Sequence, residues 1–290
     1  MNNILEIRNL IKNYEGFSLN DVSFGIPAGY IMGFIGPNGA GKTTTIKSIL
    51  NIVRPDSGEI SLFGNRAPHT DRGIMNDIGV VMDFPYYLDA WKVKDVEAAV
   101  SPFYKGWNHD IFTSSINKFE ISKNKQVKNL SRGMKVKLMV AVAMSHNAKL
   151  LILDEPTSGL DPVARDELMD ILSNYISNGD KGILFSTHIT SDLEKIADYI
   201  TFIIDGKIQF TGEKDILIES YLLVKGGLSD LTERHKKYII GLRENGYGFE
   251  GMVKAGDQAN LPRHISFEKI SLDEIIVFMN KGDKLHGQSY

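Results

Sequence analysis

Apolar and polar positions alternate from Ile4 to Leu10, the period of a strand with one face on a core, and this segment reads as an edge strand. Tyr30 to Ile35 is an apolar run that enters a glycine-rich turn, and the residues beyond it predict a helix from Lys42 to about Val53. Arg54 to Gly58 is a turn, followed by a strand ending near Phe63-Gly64. Residues from about Phe84 to Ala148 read as largely helical. Leu150 to Leu153, Gly182 to Ser186 and Tyr199 to Ile204 are short apolar runs of strand length. Asp161-Pro162 opens a helix whose Leu168, Ile171, Leu172, Tyr175 and Ile176 share one face. Asp205-Gly206 marks a hairpin turn into Lys207 to Thr211.

Strands that alternate with helices predict an α/β fold with a mostly parallel sheet, whose ligands bind beyond the carboxyl ends of the strands. From about Glu213 the pattern changes. Leu228 to Asn245 reads as a polar helix. In the closing segment Leu272, Ile275, Ile276 and Met279 have the spacing of one helical face, behind a Ser271/Glu274 capping box. Residues 214–290 are therefore expected to be a separate small domain beside one spanning 1–213.

The bulk properties exclude more than they identify. The 290 residues carry a net charge of −3, which does not suggest a nucleic-acid partner. Cysteine is absent, so disulfides and Cys-ligated metals are excluded. Met1 to Leu10 lacks the basic-then-apolar pattern of a signal peptide, and no apolar run reaches the ~20 residues that span a bilayer. Any membrane role is expected from the cytoplasmic side, through a partner.

Gly36-Pro37-Asn38-Gly39-Ala40-Gly41-Lys42-Thr43, followed by Thr44, fits the P-loop pattern between its strand and its helix. Glycines let backbone N–H groups curl around phosphate oxygens, and the helix N-terminus adds partial positive charge. Lys42 can reach the terminal phosphates and Thr43 can offer its hydroxyl to Mg²⁺. Asp154 and Glu155 end the strand Leu150 to Leu153. Asp154 is placed to help hold the metal, and Glu155 to act on the attacking water as general base.

With these motifs in place, the chain resembles the ATPases of ABC transporters. Leu130-Ser131-Arg132-Gly133-Met134 stands where that family carries LSGGQ. Ser158 to Asp161 resembles its D-loop, His188 its switch histidine, Tyr14 its adenine-stacking aromatic, and Ile78 to Asp83 the segment ending in its Q-loop glutamine. The resemblance covers residues 4 to about 213. It implies a RecA-like P-loop NTPase core with an antiparallel β-subdomain and a helical subdomain at about 84–148, followed by a small α+β C-terminal domain.

The resemblance also implies a mechanism. Two subunits would meet head to tail, each ATP lying between one P-loop and the other subunit's Ser131 and Gly133. His188 would hold the γ-phosphate and Asp161 would couple the two sites. The ATPase would act on the inner face of the membrane with a separately encoded transmembrane permease subunit, in the manner of exporters of antimicrobial or amphipathic peptides. Three positions depart from the pattern: Asp83 replaces the glutamine, Arg132 the first signature glycine and Met134 the signature glutamine. Asp83 is still expected to act on the metal, so an active enzyme with altered coupling is expected. The region from about Asp83 to Asp95, with Phe84, Pro85, Tyr86, Tyr87 and Trp91, reads as a docking surface for the permease. His235, His264 and His286 are too scattered to suggest a metal site.

A soluble ABC-type ATPase is one alternative, and a binding module that holds ATP without turnover, against which Glu155 and His188 count, is another. One cassette and a short Lys42–Asn129 interval distinguish the chain from two-cassette translation factors and from repair ATPases with a coiled-coil insertion.

Overall fold

A computed structural model describes residues 3–66, 72–83 and 86–286, with the side chains of Arg72 and of 281–286 left aside. Phe84 and Pro85 of the expected docking loop lie outside the described residues, as does the side chain of His286. The chain forms two compact units, Met1–Thr211 and Gly212–Tyr290.

The first unit begins with β1 (Asn3–Tyr14), β2 (Phe17–Pro27) and β3 (Ile31–Ile35), then α1 (Lys42–Ile49), β4 (Ser57–Leu62), α2 (Arg72–Asn76) and β5 (Ile78–Val81). Helices α3 (Val93–Val100), α4 (His109–Lys118) and α5 (Arg132–Met144) follow, then β6 (Leu150–Asp154) and α6 (Pro162–Ile176). Then come β7 (Gly182–Thr187), α7 (Thr190–Ile196), β8 (Tyr199–Ile204) and β9 (Lys207–Glu213), whose last two residues fall in the second unit. Six strands form one sheet in the order β5-β6-β7-β3-β8-β9, with β5 through β8 parallel. Strands β3, β6 and β7 are buried at every residue, as expected of strands covered on both faces. The β8–β9 turn has positive φ at both Asp205 and Gly206, the twist a two-residue hairpin requires.

A second sheet, β2-β1-β4, is antiparallel. Its inner face, with Ile4, Ile7, Leu10 and Ile26, shares a core with Met32, Phe34, Ile152 and Leu184 of the parallel sheet. The β1 segment is thus the middle strand rather than an edge. Alternation along a strand reports which faces are wet, and it is silent on whether the backbone edges are paired.

Helix α1 stops at Ile49, short of Val53, because Asn51 takes a left-handed conformation at φ 56°. Between Val93 and Met144 the chain is helical in three main pieces, joined by short 3-10 turns and loops. Asn108 caps α4 by accepting from the N–H groups of Asp110 and Ile111.

The second unit contains α8 (Lys214–Glu219), β10 (Tyr221–Gly226), α9 (Glu233–Lys236), β11 (Ile240–Asn245), β12 (Gly248–Lys254), β13 (Ser266–Lys269) and α10 (Leu272–His286). Its sheet is antiparallel, in the order β11-β12-β10-β13. The polar helix expected over 228–245 is instead a 3-10 turn, the four-residue α9 and a strand. Gly241 breaks the helix: its φ is 65°, and a Cβ there would fall 2.7 Å from the Phe278 carbonyl oxygen.

The Ser271/Glu274 capping box is formed in both directions. Helix α10 packs within its own unit, against β11 and β12. Its buried seam is Leu272, Ile275 and Phe278, with Ile276 and Met279 only half-buried. His235 and His264 both bond to Asp230, the first to its carbonyl and the second to its carboxylate.

Candidate active site

The buried strand β3 delivers Gly36 to Lys42 to the carboxyl end of the parallel sheet. The loop is tied down from behind by Gly206, whose N–H donates to the Ala40 carbonyl at 3.0 Å. Gly41 sits at φ 111°, a region side chains rarely enter, and an added Cβ would lie 2.5 Å from Leu19. Helix α1 begins at Lys42 with no side-chain cap, so its first N–H groups and its positive end face the loop. Lys42 is buried, and its ammonium donates to the carbonyls of Gly36 at 2.7 Å and Pro37 at 3.3 Å. It also lies 3.5 Å from Glu155 Oε1.

The neighbouring strand β6 brings up the carboxylates. Thr43 Oγ1 donates to Asp154 Oδ2 at 2.9 Å. Asp154 Oδ1 is buried and has no hydrogen-bond partner among the described residues. An orphaned carboxylate oxygen beside a hydroxyl is a donor set that suits a hard divalent cation.

Glu155 turns out of the strand at φ 52°, a conformation in which only a few per cent of non-glycine residues are found and which clusters at functional sites. Its N–H is held by the Ser186 carbonyl at 2.9 Å. Its Oε2 lies 2.7 Å from Nδ1 of His188, which stands just beyond β7. Lys42, Thr43, Asp154, Glu155 and His188 are therefore one connected cluster.

The other residues singled out by sequence are placed elsewhere. Ser131 caps α5 by accepting from Met134 N–H, and Asp161 caps α6 by accepting from Val163 and Ala164. The Ala164 N–H bond, more than the Val163 one, holds the Asp161 carboxyl below the usual range. A Cβ on Gly133 would meet Ala164 Cβ at 3.3 Å, so the starts of α5 and α6 are packed together. Tyr14, 47% exposed, ends β1 with the Lys12 ammonium 5.6 Å from its ring centroid. Of the expected docking loop, Tyr86 and Leu88 are exposed while Tyr87 and Trp91 are half-buried.

Asp83 departs from its expected company. Its Oδ1 accepts from Arg132 Nη2 at 2.9 Å, so the contact the structure gives it is with the signature segment and not with Thr43 or Asp154. The reading of the sequence missed this pairing. The available signal was that two departures from the family pattern carry opposite charge.

Among the described residues no helix is long and apolar enough to cross a membrane, and no cluster of three or more His, Cys, Asp or Glu could hold a metal ion. Comparison with known proteins follows the same lines. Residues 19–158 match the family model described as ABC transporter. The lantibiotic transport ATP-binding protein SrtF of Streptococcus pyogenes is 36% identical over 73% of this chain and 92% of its own. The bacitracin transport ATP-binding protein BcrA of Bacillus licheniformis is 32% identical over 82% of this chain and 74% of its own. A solved ATP-binding subunit of an ABC transporter superposes with a TM-score of 0.66 at 28% identity, over 73% of this chain and 90% of that one. With a P-loop, a carboxylate pair and a histidine joined at the end of a parallel sheet, and relatives of this similarity, the chain belongs to the ABC transporter family as one of its ATP-hydrolysing, ATP-binding subunits.

Proposed function

We propose that this chain closes head to tail with a second ATPase subunit, identical or related, around two ATP molecules. Each nucleotide lies between Gly36 to Thr44 of one subunit and Ser131 and Gly133 of the other. The observation that carries this reading is Glu155, held between the Lys42 ammonium and the His188 ring at the mouth of the P-loop.

In this arrangement the loop N–H groups and Lys42 bind the phosphates, and Tyr14 covers the base. Glu155 takes a proton from the attacking water. His188 holds the Glu155 carboxylate in place and reaches for the γ-phosphate. Thr43 and Asp154 are the residues that would hold Mg²⁺, which when bound neutralises charge on the terminal phosphates. Asp161 sits at the start of α6 to sense the opposing subunit. Closure excludes water and aligns these groups, so catalysis is largely a matter of positioning.

The subunit drives a separately encoded transmembrane permease from the inner face of the membrane, docking through the loop that exposes Tyr86 and Leu88. Export of peptides or other amphipathic compounds is the transport reaction favoured by the likeness to SrtF and BcrA. Residues 214–290 act as an accessory domain that tunes the ATPase.

Substituting Glu155 tests the core of this reading. Glu155→Gln is expected to bind ATP, lose turnover and elute from gel filtration as a lasting ATP-dependent dimer. Parental hydrolysis in that variant would remove Glu155 as the base. Failure to recover a multi-span protein with the parent chain from membranes would favour an uncoupled ATPase.

A further inference from the structure

Arg132 and Asp83 close a path of contacts that includes the turn after Glu155. Strands β5 and β6 are paired in parallel with Val81 beside Leu153, so Asp83 and Glu155 each lie two residues beyond that matched pair. Asp83 accepts from the Arg132 guanidinium at 2.9 Å, across 49 residues of sequence. The same guanidinium lies over Gly159, where a Cβ would come within 3.1 Å of its Nε, Cζ and Nη1. Gly159 belongs to the short turn that follows Glu155. That turn is bonded back on itself by Ser158 N–H to the Glu155 carbonyl at 3.2 Å and Leu160 N–H to the Thr157 carbonyl at 3.1 Å. The path therefore runs from the end of β5 through Asp83, Arg132 and Gly159 to Glu155, and returns through β6.

Arg132 is the first residue of α5, where a cation opposes the positive end of the helix, so the position is unfavourable unless an anion compensates it. Asp83 is that anion. Glu155, in turn, holds a left-handed backbone that its surroundings must maintain, and the turn beneath it contains a second left-handed residue, Gly159, at φ 68°. The flat guanidinium covers this turn at Gly159. Lysine, a point charge on a flexible stem, lacks that shape.

We propose that Arg132 is a positioning residue for Glu155, acting through the Gly159 turn, and that Asp83 serves the reaction by holding Arg132 in place. The proposal rests on the reading of Glu155 as the base. It assigns to one pair the two charged departures from the family pattern, and each is useful only with the other.

The test is a mutant cycle on the full chain, reading kcat and KM for ATP separately. Arg132→Ala and Asp83→Ala are each expected to lower kcat about tenfold, the scale of a small misplacement of a reacting group, with KM within about twofold of the parent. The double variant is expected to fall no further than either single one. Arg132→Lys should recover only part of the loss, because it restores the charge without the plate. Gly159→Ala should lower kcat with Asp83 and Arg132 intact.

Three outcomes overturn the proposal. An unchanged kcat in Arg132→Ala does so directly. Losses that multiply in the double variant would mean that Asp83 acts on the metal, or Arg132 on the opposing nucleotide, independently. An effect confined to KM would make Arg132 a binding residue. Glu155→Gln run alongside separates the two levels. If it keeps parental turnover, the reading of the base has failed; if it abolishes turnover while Arg132→Ala does nothing, only the positioning role has.

Discussion

The imidazole Nδ1 of His188 and the Oε2 of Glu155 are 2.7 Å apart, although 33 residues separate them in sequence. Glu155 is largely shielded, with 16% of its side chain exposed, whereas His188 is open on one side at 45%. One ring nitrogen is engaged by the carboxylate, while nearly half of the side chain stays open to solvent. His188→Ala is expected to lower kcat about 100-fold, the scale on which misplacing a reacting group costs rate. ATP affinity should change little, because the Lys42 contacts remain. Steady-state hydrolysis together with titration of a fluorescent nucleotide checks both halves.

His146 predicts a pH effect on stability away from the active site. Its ring stacks on Tyr104 with centroids 3.9 Å apart, and its Nδ1 lies 3.0 Å from the Asn76 carbonyl. Burial lowers its pKa, against the opposing pulls of that carbonyl and of Asp77. The folded chain therefore holds fewer protons at this site than the unfolded one once pH falls below the ordinary histidine range. Stability is fully present above about 6.5 and declines as pH drops toward the lowered folded value. Urea unfolding midpoints should fall between pH 7.5 and pH 5.5, and fall less in His146→Gln.

Truncation after Gly212 probes the second unit. That unit has its own core of Val224, Ile239, Phe249, Val253, Leu261 and Ile265, and α10 packs inside it. The shortened chain is expected to stay folded and bind ATP normally, with altered turnover or association. Circular dichroism, nucleotide titration and light scattering with ATP give the comparison. A folded but nucleotide-blind product would place part of the nucleotide site beyond residue 212.

The legible parts of this molecule were those in which chemistry restricts residue type locally. The Gly36 to Thr43 loop needs glycine, lysine and a hydroxyl at fixed steps, and the Asp154-Glu155 pair follows an unmistakable buried strand. Ser271 and Glu274 could be read as a cap because both partners lie within one turn. Strand pairing was less accessible: the alternation of Ile4 to Leu10 shows a core-facing side and carries no information about its two lateral neighbours. The region around Gly241 failed for another reason. Its conformation is decided by Phe278, which approaches from the far end of the unit. The Asp83–Arg132 bond was hidden in the same way, since each residue looks like a local loss until the fold brings the two together.

The strand order carries a consequence for how the chain must be made. Strand β3 feeds the P-loop and ends at Ile35, yet its two sheet neighbours, β7 and β8, begin at Gly182 and Tyr199. During synthesis the nascent P-loop therefore waits, without lateral support, until most of the first unit has emerged. Contacts of such long sequence separation slow folding and leave apolar strands uncovered in the interval. The capacity to bind nucleotide should accordingly arise late and abruptly on the ribosome, so a half-made chain is not a partial enzyme.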